Sequence, residues 1–154
     1  MSGLDEVDAQ ILRALAVERR LPNNALASRV GIAPSTCVAR VRSLRQRGVI
    51  RGFAADIDPV ALGLPIQATV SVRMQAHARG QLEEFLEFLT ALPGVVSSYL
   101  LAGPCDFLVH VVMSSVEQLR EFVISRLSGN PDVASTETNM IFRCTRPTRV
   151  PLLV

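Results

Sequence analysis

Two periodicities divide the chain. Over the first fifty residues apolar side chains recur every three or four positions; from Ile66 they alternate, then switch back and forth between the two rhythms. Val7, Ile11, Leu12 and Leu15 form one stripe at helical spacing. Asp5 stands before it as an N-cap, with Asp8 at the third helical position as in a capping box. Arg19 and Arg20 close this helix at its negative end. A second helix is predicted from about Asn23 to Val30, with Leu26, Ala27 and Val30 inward and Gly31 as a left-handed C-cap. Pro34 opens a third helix, at a position where its missing N–H costs nothing. Val38, Val41 and Leu44 are its predicted buried stripe, and Gly48 ends it. Val49, Ile50, Gly52 and Phe53 read as a short strand or wing.

The second half changes rhythm. Ile66, Ala68, Val70, Val72 and Met74 alternate with Gln67, Thr69, Ser71 and Arg73, the period of a half-buried strand. Leu82, Phe85, Leu86, Leu89 and Leu92 return to helical spacing. After the Pro93-Gly94 turn, Val95 to Leu101 reads as a strand. After Gly103-Pro104, Phe107 to Met113 is nearly continuous apolar, as a central strand should be. Ser115 and Gln118 make a capping box for a helix carrying Val116, Leu119, Phe122, Val123 and Leu127, stopped by Gly129 and Pro131. Val133 to Phe142 is a fourth strand. The order βαββαβ is the ferredoxin-like arrangement, and the class is α+β. A faint repeat agrees with it: Pro93-Gly94-Val95 is echoed thirty-eight positions on by Pro131-Asp132-Val133. The expected organisation is a helix-turn-helix unit over 1–55, a hinge rich in Pro and Gly over 56–65, the ferredoxin-like unit over 66–142, and a tail over 143–154.

Composition narrows the class. With 49% hydrophobic residues and a mean hydropathy of +0.31, the chain can bury a core. No apolar run approaches the ~18 residues of a membrane span. The acidic start, Leu4-Asp5-Glu6, lacks the apolar stretch of a signal peptide, so a soluble cytoplasmic protein is expected. Cys37, Cys105 and Cys144 are odd in number and widely spaced, which disfavours structural disulfides and a zinc site. Cys37 reads as a packed side chain before a redox switch. Charge is split: residues 1–53 carry nine arginines against four acids, and the remainder seven against ten. A polyanion partner is therefore expected for the first part only.

The Gly31-centred helix pair carries the chemistry. In a helix-turn-helix the second helix enters the major groove, and its N-terminal residues touch base edges. Pro34, Ser35, Thr36 and Ala39 lie early in that helix, and Arg40 is long enough to reach guanine or phosphate. Arg42, Arg45, Arg47 and Arg51 are placed to neutralise phosphates, which gives affinity with little sequence choice. The competing reading is a generic three-helix domain with solvated arginines.

The spacing Leu4-Asp5, Asp8, Ile11-Leu12, Leu26-Ala27, Val30 to Val38, Arg40-Val41, Leu44, Gly48 to Ile50 and Gly52-Phe53 resembles the Lrp/AsnC ("feast/famine") family of transcriptional regulators. The second half resembles that family's effector-binding module through its βαββαβ order, Gly103 and Asp106 between strands two and three, and Thr136 and Thr138 in the last strand. The resemblance spans about residues 4–142. It implies a recognition helix from Pro34 to Arg47, a wing near Arg51 to Ala54, and dimers through the sheets that assemble into tetramers, octamers or discs. It also implies an effector, typically a free amino acid, held at a subunit interface by Tyr99, Ala102, Gly103, Pro104, Cys105, Asp106, Thr136 and Thr138. A glycine admits close backbone approach, and a carboxylate can pair with an α-ammonium group; the plainer alternative is a β-turn that Asp106 caps. Three positions depart from the family. Ala33 and Pro22 stand where Ser or Thr usually caps the helices. Pro104-Cys105 replaces the commoner acidic–aromatic pair, so the usual effector need not carry over.

Other classes fit less well. An enzyme would need a nucleophile–base pair, a metal-ligand cluster or a phosphate loop, and the sequence offers none, so no cofactor is expected. A ligand-independent architectural DNA-binding protein, or a small-molecule-binding oligomer whose helices only dimerise, remain as alternatives; the arginines of helix three disfavour the latter. His110 reads as a core or interface residue, His77 as a loop residue, and Glu83, Glu84 and Glu87 as a solvated helix face.

Overall fold

The computed structural model describes residues 3–18, 21–53 and 55–145. It divides into two compact units, one running to Asp56 and the other from Ile57 to Cys144.

The first unit holds α1 (Glu6–Val17), α2 (Asn23–Val30) and α3 (Pro34–Gln46). Asp5 caps α1 by accepting from the Asp8 backbone N–H at 2.8 Å. Gly31 adopts φ 71°, as the left-handed end of α2 requires. Its N–H and that of Ile32 return to the last turn of α2, and Pro34 then starts α3 in its first turn. Neither Pro22 nor Ala33 contributes a side-chain cap. Ile11, Ala14, Leu26, Ala27, Val30, Cys37 and Leu44 form the core. One expectation is corrected: the inward stripe of α3 is Cys37, Val41 and Leu44, while Val38 is 46% exposed. Those three fall at i, i+4 and i+7, and Val38 lies about 100° off that line. The expected wing strand does not form over 49–53. Val49 and Ile50 instead direct their N–H groups to the Leu44 carbonyl, wrapping the chain back onto the end of α3. Arg19, Arg20 and Ala54 lie outside the described residues.

The second unit opens with the segment read as a hinge, which coils into a 3-10 turn over Val60–Leu62. Then follow β1 (Ile66–Met74), a 3-10 turn (Ala76–Gln81), α4 (Leu82–Ala91), β2 (Val95–Leu100), β3 (Phe107–Met113), α5 (Val116–Phe122) and β4 (Val133–Met140). The strands pair antiparallel in the order β2-β3-β1-β4, the ferredoxin-like sheet. Alternation sends Ala68, Val70, Val72 and Met74, with Phe107, Val109, Val111 and Met113, to the face that α4 and α5 cover. Gly94 is required at the α4–β2 turn: its φ is 84°, and a Cβ there would sit 2.8 Å from the Val112 carbonyl oxygen. α5 continues into a π-helical turn over Val123–Ser128. Ser115 caps α5, but Gln118 reaches back to the N–H of Ser114 rather than of Ser115. Val116, one of the apolar residues this helix carries, is 53% exposed. β2 and β4 stop at Leu100 and Met140, short of the expected ends. Among the described residues no helix is long and apolar enough to cross a membrane.

Candidate nucleic-acid and effector sites

The core stripe of α3 fixes what its other side presents. With Cys37, Val41 and Leu44 inward, the opposite line runs through Ser35, Ala39, Arg42 and Gln46, all exposed. Pro34 and Thr36 are exposed beside its first turn. Gln46 was not singled out from the sequence; its spacing from Ala39 and Arg42, seven and four positions, is the signal that places it there. Arg42 and Arg45 rim an open groove of about 650 Å³ that also takes in Arg51, with Leu15, Leu26, Val41 and Ile50 among its lining. These three arginines make no ion pair among the described residues. An open groove with an apolar floor and uncompensated guanidinium groups along its rim attracts a polyanion.

Arg40 and Arg47 lie on the other flank and are differently employed. Arg40 Nη1 donates to Asp5 Oδ2 at 2.6 Å and to Asp8 Oδ1 at 2.8 Å. Arg47 Nη1 stands 3.7 Å from Asp8 Oδ2, and its Nη2 donates to the Gly3 carbonyl. The Asp8 side chain is only 7% exposed. The Asp8 backbone N–H, and then the Arg40 guanidinium, hold the Asp5 carboxyl below its ordinary range. The same carboxylates push Arg40 further above its own. From the sequence Arg40 is aimed at guanine or phosphate; in the folded chain it is bound between the carboxylates of Asp5 and Asp8 at the start of α1. Cys37 is fully buried, and burial pushes its thiol up, so it packs rather than reacts.

In the second unit the 101–106 turn is closed by the Leu101 N–H donating to the Asp106 carbonyl at 2.8 Å. The Asp106 N–H donates to the Val72 carbonyl, and its carboxylate Oδ2 accepts from the Met74 N–H at 2.7 Å. Asp106 thus continues the β1–β3 ladder by one side-chain rung. Its Oδ1 lies 4.0 Å from Arg79. Gly103 does not take a positive φ, and a Cβ there would meet nothing within 4 Å. The turn itself does not demand a glycine, and the space above Gly103 is open. Ala102 and Pro104 are exposed beside it, and Cys105 is half-buried.

The remaining expected effector residues are dispersed. Tyr99 pairs with Leu108 on β3, which puts it on the sheet face away from the helices. Thr136 and Thr138 pair with Val72 and Val70 on the far edge strand, facing the helix side, where Thr136 meets Ser128 Oγ at 2.9 Å. β2 and β4 are opposite edges, about 14 Å apart at ~4.8 Å per strand. One chain therefore brings Tyr99 and the 102–106 turn to neighbouring strands and leaves the two threonines across the sheet. His110 lies on the open face within 3.3 Å of Gln67 Oε1. Among the described residues no group of three His, Cys, Asp or Glu is placed to hold a metal.

Comparison with known proteins assigns a family to each half. Residues 4–51 match the model described as winged helix-turn-helix DNA-binding, and residues 67–151 the Lrp/AsnC ligand binding domain. The chain is 52% identical over 139 residues to the HTH-type transcriptional regulator AldR of Mycobacterium tuberculosis, covering 90% of this chain and 78% of that one. It superposes on the crystal structure of MtbAldR with a TM-score of 0.83 at 47% identity, over 93% of this chain and 95% of that one. With a transcriptional regulator from Neisseria meningitidis in complex with L-Met, the TM-score is 0.88 at 28% identity, over 98% of both chains.

Proposed function

This chain belongs to the Lrp/AsnC family of transcriptional regulators, and from that membership we propose that it binds specific DNA through α3 and answers to a free amino acid at an interface between copies of its second unit. The observation that carries the effector half is the dispersal of the candidate residues. Tyr99 and the β4 threonines sit on opposite edge strands and opposite faces of the sheet, which supports a pocket that draws the two sets from different copies. The open space above Gly103 supports the same reading, because a partner or ligand can approach the backbone there. The L-Met complex of the Neisseria relative is a precedent for an amino-acid ligand on this fold. In a symmetric dimer two recognition helices about 34 Å apart read a palindromic site, and effector binding shifts assembly by its differential affinity for the states.

The test combines mobility shifts on the chain's own upstream DNA with a thermal-shift panel of the twenty amino acids. At a hundred times its Kd an effector adds ~2.7 kcal/mol to unfolding, which raises the midpoint of the second unit. Asp106→Ala, which removes the last rung of the β1–β3 ladder beside the turn, is expected to abolish that shift. A flat panel with intact DNA binding eliminates the effector and leaves a ligand-independent DNA-binding protein; no mobility shift at low salt eliminates the DNA-binding half.

A further inference from the structure

The five arginines at or after the middle of α3 divide by what holds them. Arg40 and Arg47 face Asp5 and Asp8 at the start of α1, two cations against two anions, and Asp8 is almost wholly enclosed. Arg42, Arg45 and Arg51 have no such partners among the described residues. We infer that Arg40 and Arg47 are positioning residues that fix the rotation of α3 against α1, and that base sequence is read by the opposite line, Ser35, Ala39 and Arg42. This rests on the reading of α3 as a DNA-recognition helix.

Observations on both sides of α3 support it. A guanidinium already bonded to two carboxylates offers a phosphate little net charge. Turning Arg40 outward leaves the enclosed Asp8 with only the longer Arg47 contact, at 3.7 Å, and uncompensated buried charge is strongly unfavourable. On the other side, Ser35 and Ala39 lie in the first half of α3, the part that meets base edges in this motif. They are small, so the helix can approach the groove closely, and Arg42 is the first long donor along that line. Geometrically, the bonds from Arg40 to Asp5 and Asp8 join elements more than thirty residues apart in sequence, so they set which line of α3 faces outward.

The experiment enriches a randomised duplex pool with the wild-type protein. It then measures affinity for the selected duplex and its single-base variants across a salt series, for wild type, Arg42→Ala, Arg40→Ala, Arg40→Lys and Asp8→Asn. Arg42→Ala is expected to relax preference at one base position. Arg40→Ala is expected to weaken every duplex by one common factor, with base preference and slope unchanged, and Arg40→Lys to recover most of the loss. Arg40→Ala flattening the preference at a single position, or lowering the slope by one, overturns the assignment. So does Asp8→Asn changing the preference at a single base position, since loosening a positioning contact should weaken every duplex alike. Should Arg40→Ala not fold, Arg40→Lys and Asp8→Asn decide on the same two readouts. A wild-type protein that enriches nothing removes the recognition-helix reading itself, and this assignment with it.

Discussion

A protein carrying Arg42→Gln, Arg45→Gln and Arg51→Gln is expected to bind its DNA site about a hundredfold or more weakly at physiological salt. The slope of log affinity against log salt should become shallower by roughly 1.8 for each helix bound, at ~0.9 for each of the two arginines aimed at phosphates, Arg45 and Arg51, and the loss of Arg42 should show as relaxed base preference. The expectation follows from where the three charges stand. All are exposed, all face the same groove, and none has an ionic partner among the described residues. Their charge is therefore available to displace counterions from a duplex. Folding should hardly notice the change: Gln is close to Arg in helix propensity, and exposed substitutions away from caps and cores stay within about 0.5 kcal/mol. Salt-dependent fluorescence anisotropy gives the affinity, and thermal unfolding supplies the control. Affinity within threefold of wild type, at an unchanged slope, would show that the groove is not the nucleic-acid surface.

The sequence was legible where one local rule decided the outcome. Gly31 and Pro34 mark the end of α2 and the start of α3 because each has a backbone preference that holds in any surroundings. β1 and β3 are both central strands; β1 shows its alternation because one face is covered and the other is not, whereas β3 also carries Leu108 and Val112 on the face away from the helices, so its run reads as nearly continuous apolar. Local pattern does not decide where the outcome depends on a distant partner. The sequence pattern puts Val38 inside; the packing of α1 and α2 turns α3 by about one residue, so the stripe begins at Cys37, which reads as packed from sequence too, and the valine is exposed. The employment of Arg40 depends on two aspartates more than thirty positions upstream, and Asp5 and Asp8 had been read only as capping residues. β4 is an edge strand with little burial, so its alternation is weak and its end was placed too late. The dispersal of Tyr99 from Thr136 and Thr138 follows from strand order, which no local pattern contains.

The same long-range logic implies that the two halves tolerate different changes. The second unit builds its core from three strands and two helices around Val70, Val72, Phe107, Val109 and Val111. The first rests on three short helices, two of which begin without a side-chain cap. An Ala in place of a capping Ser or Thr forfeits ~0.5–2 kcal/mol, so packing must supply most of what holds α3. Leu44 is the most demanding position in that packing. It is fully buried, and its carbonyl accepts from both Val49 and Ile50.

Leu44→Ala is accordingly expected to abolish DNA binding while leaving the second unit folded. A buried Leu→Ala change costs about 2–5 kcal/mol, depending on how far the cavity collapses. A unit of some fifty-five residues seldom has more than ~3–5 kcal/mol to lose. Unfolding of α1–α3 at ambient temperature is the predicted result, and with it disappears the rigid surface that places Ser35, Ala39 and Arg42 together. The chain offers a built-in reporter for the other half. It has one tyrosine and no tryptophan, and Tyr99 lies in β2 of the second unit. Tyrosine fluorescence should therefore show an unchanged thermal transition, while far-UV circular dichroism loses helix. Leu44→Met, which nearly preserves volume, should cost under about 1.5 kcal/mol and retain binding. If Leu44→Ala instead binds DNA like wild type, or shifts the Tyr99 transition as much as the helical one, then Leu44 is not the keystone of a separately folding first unit.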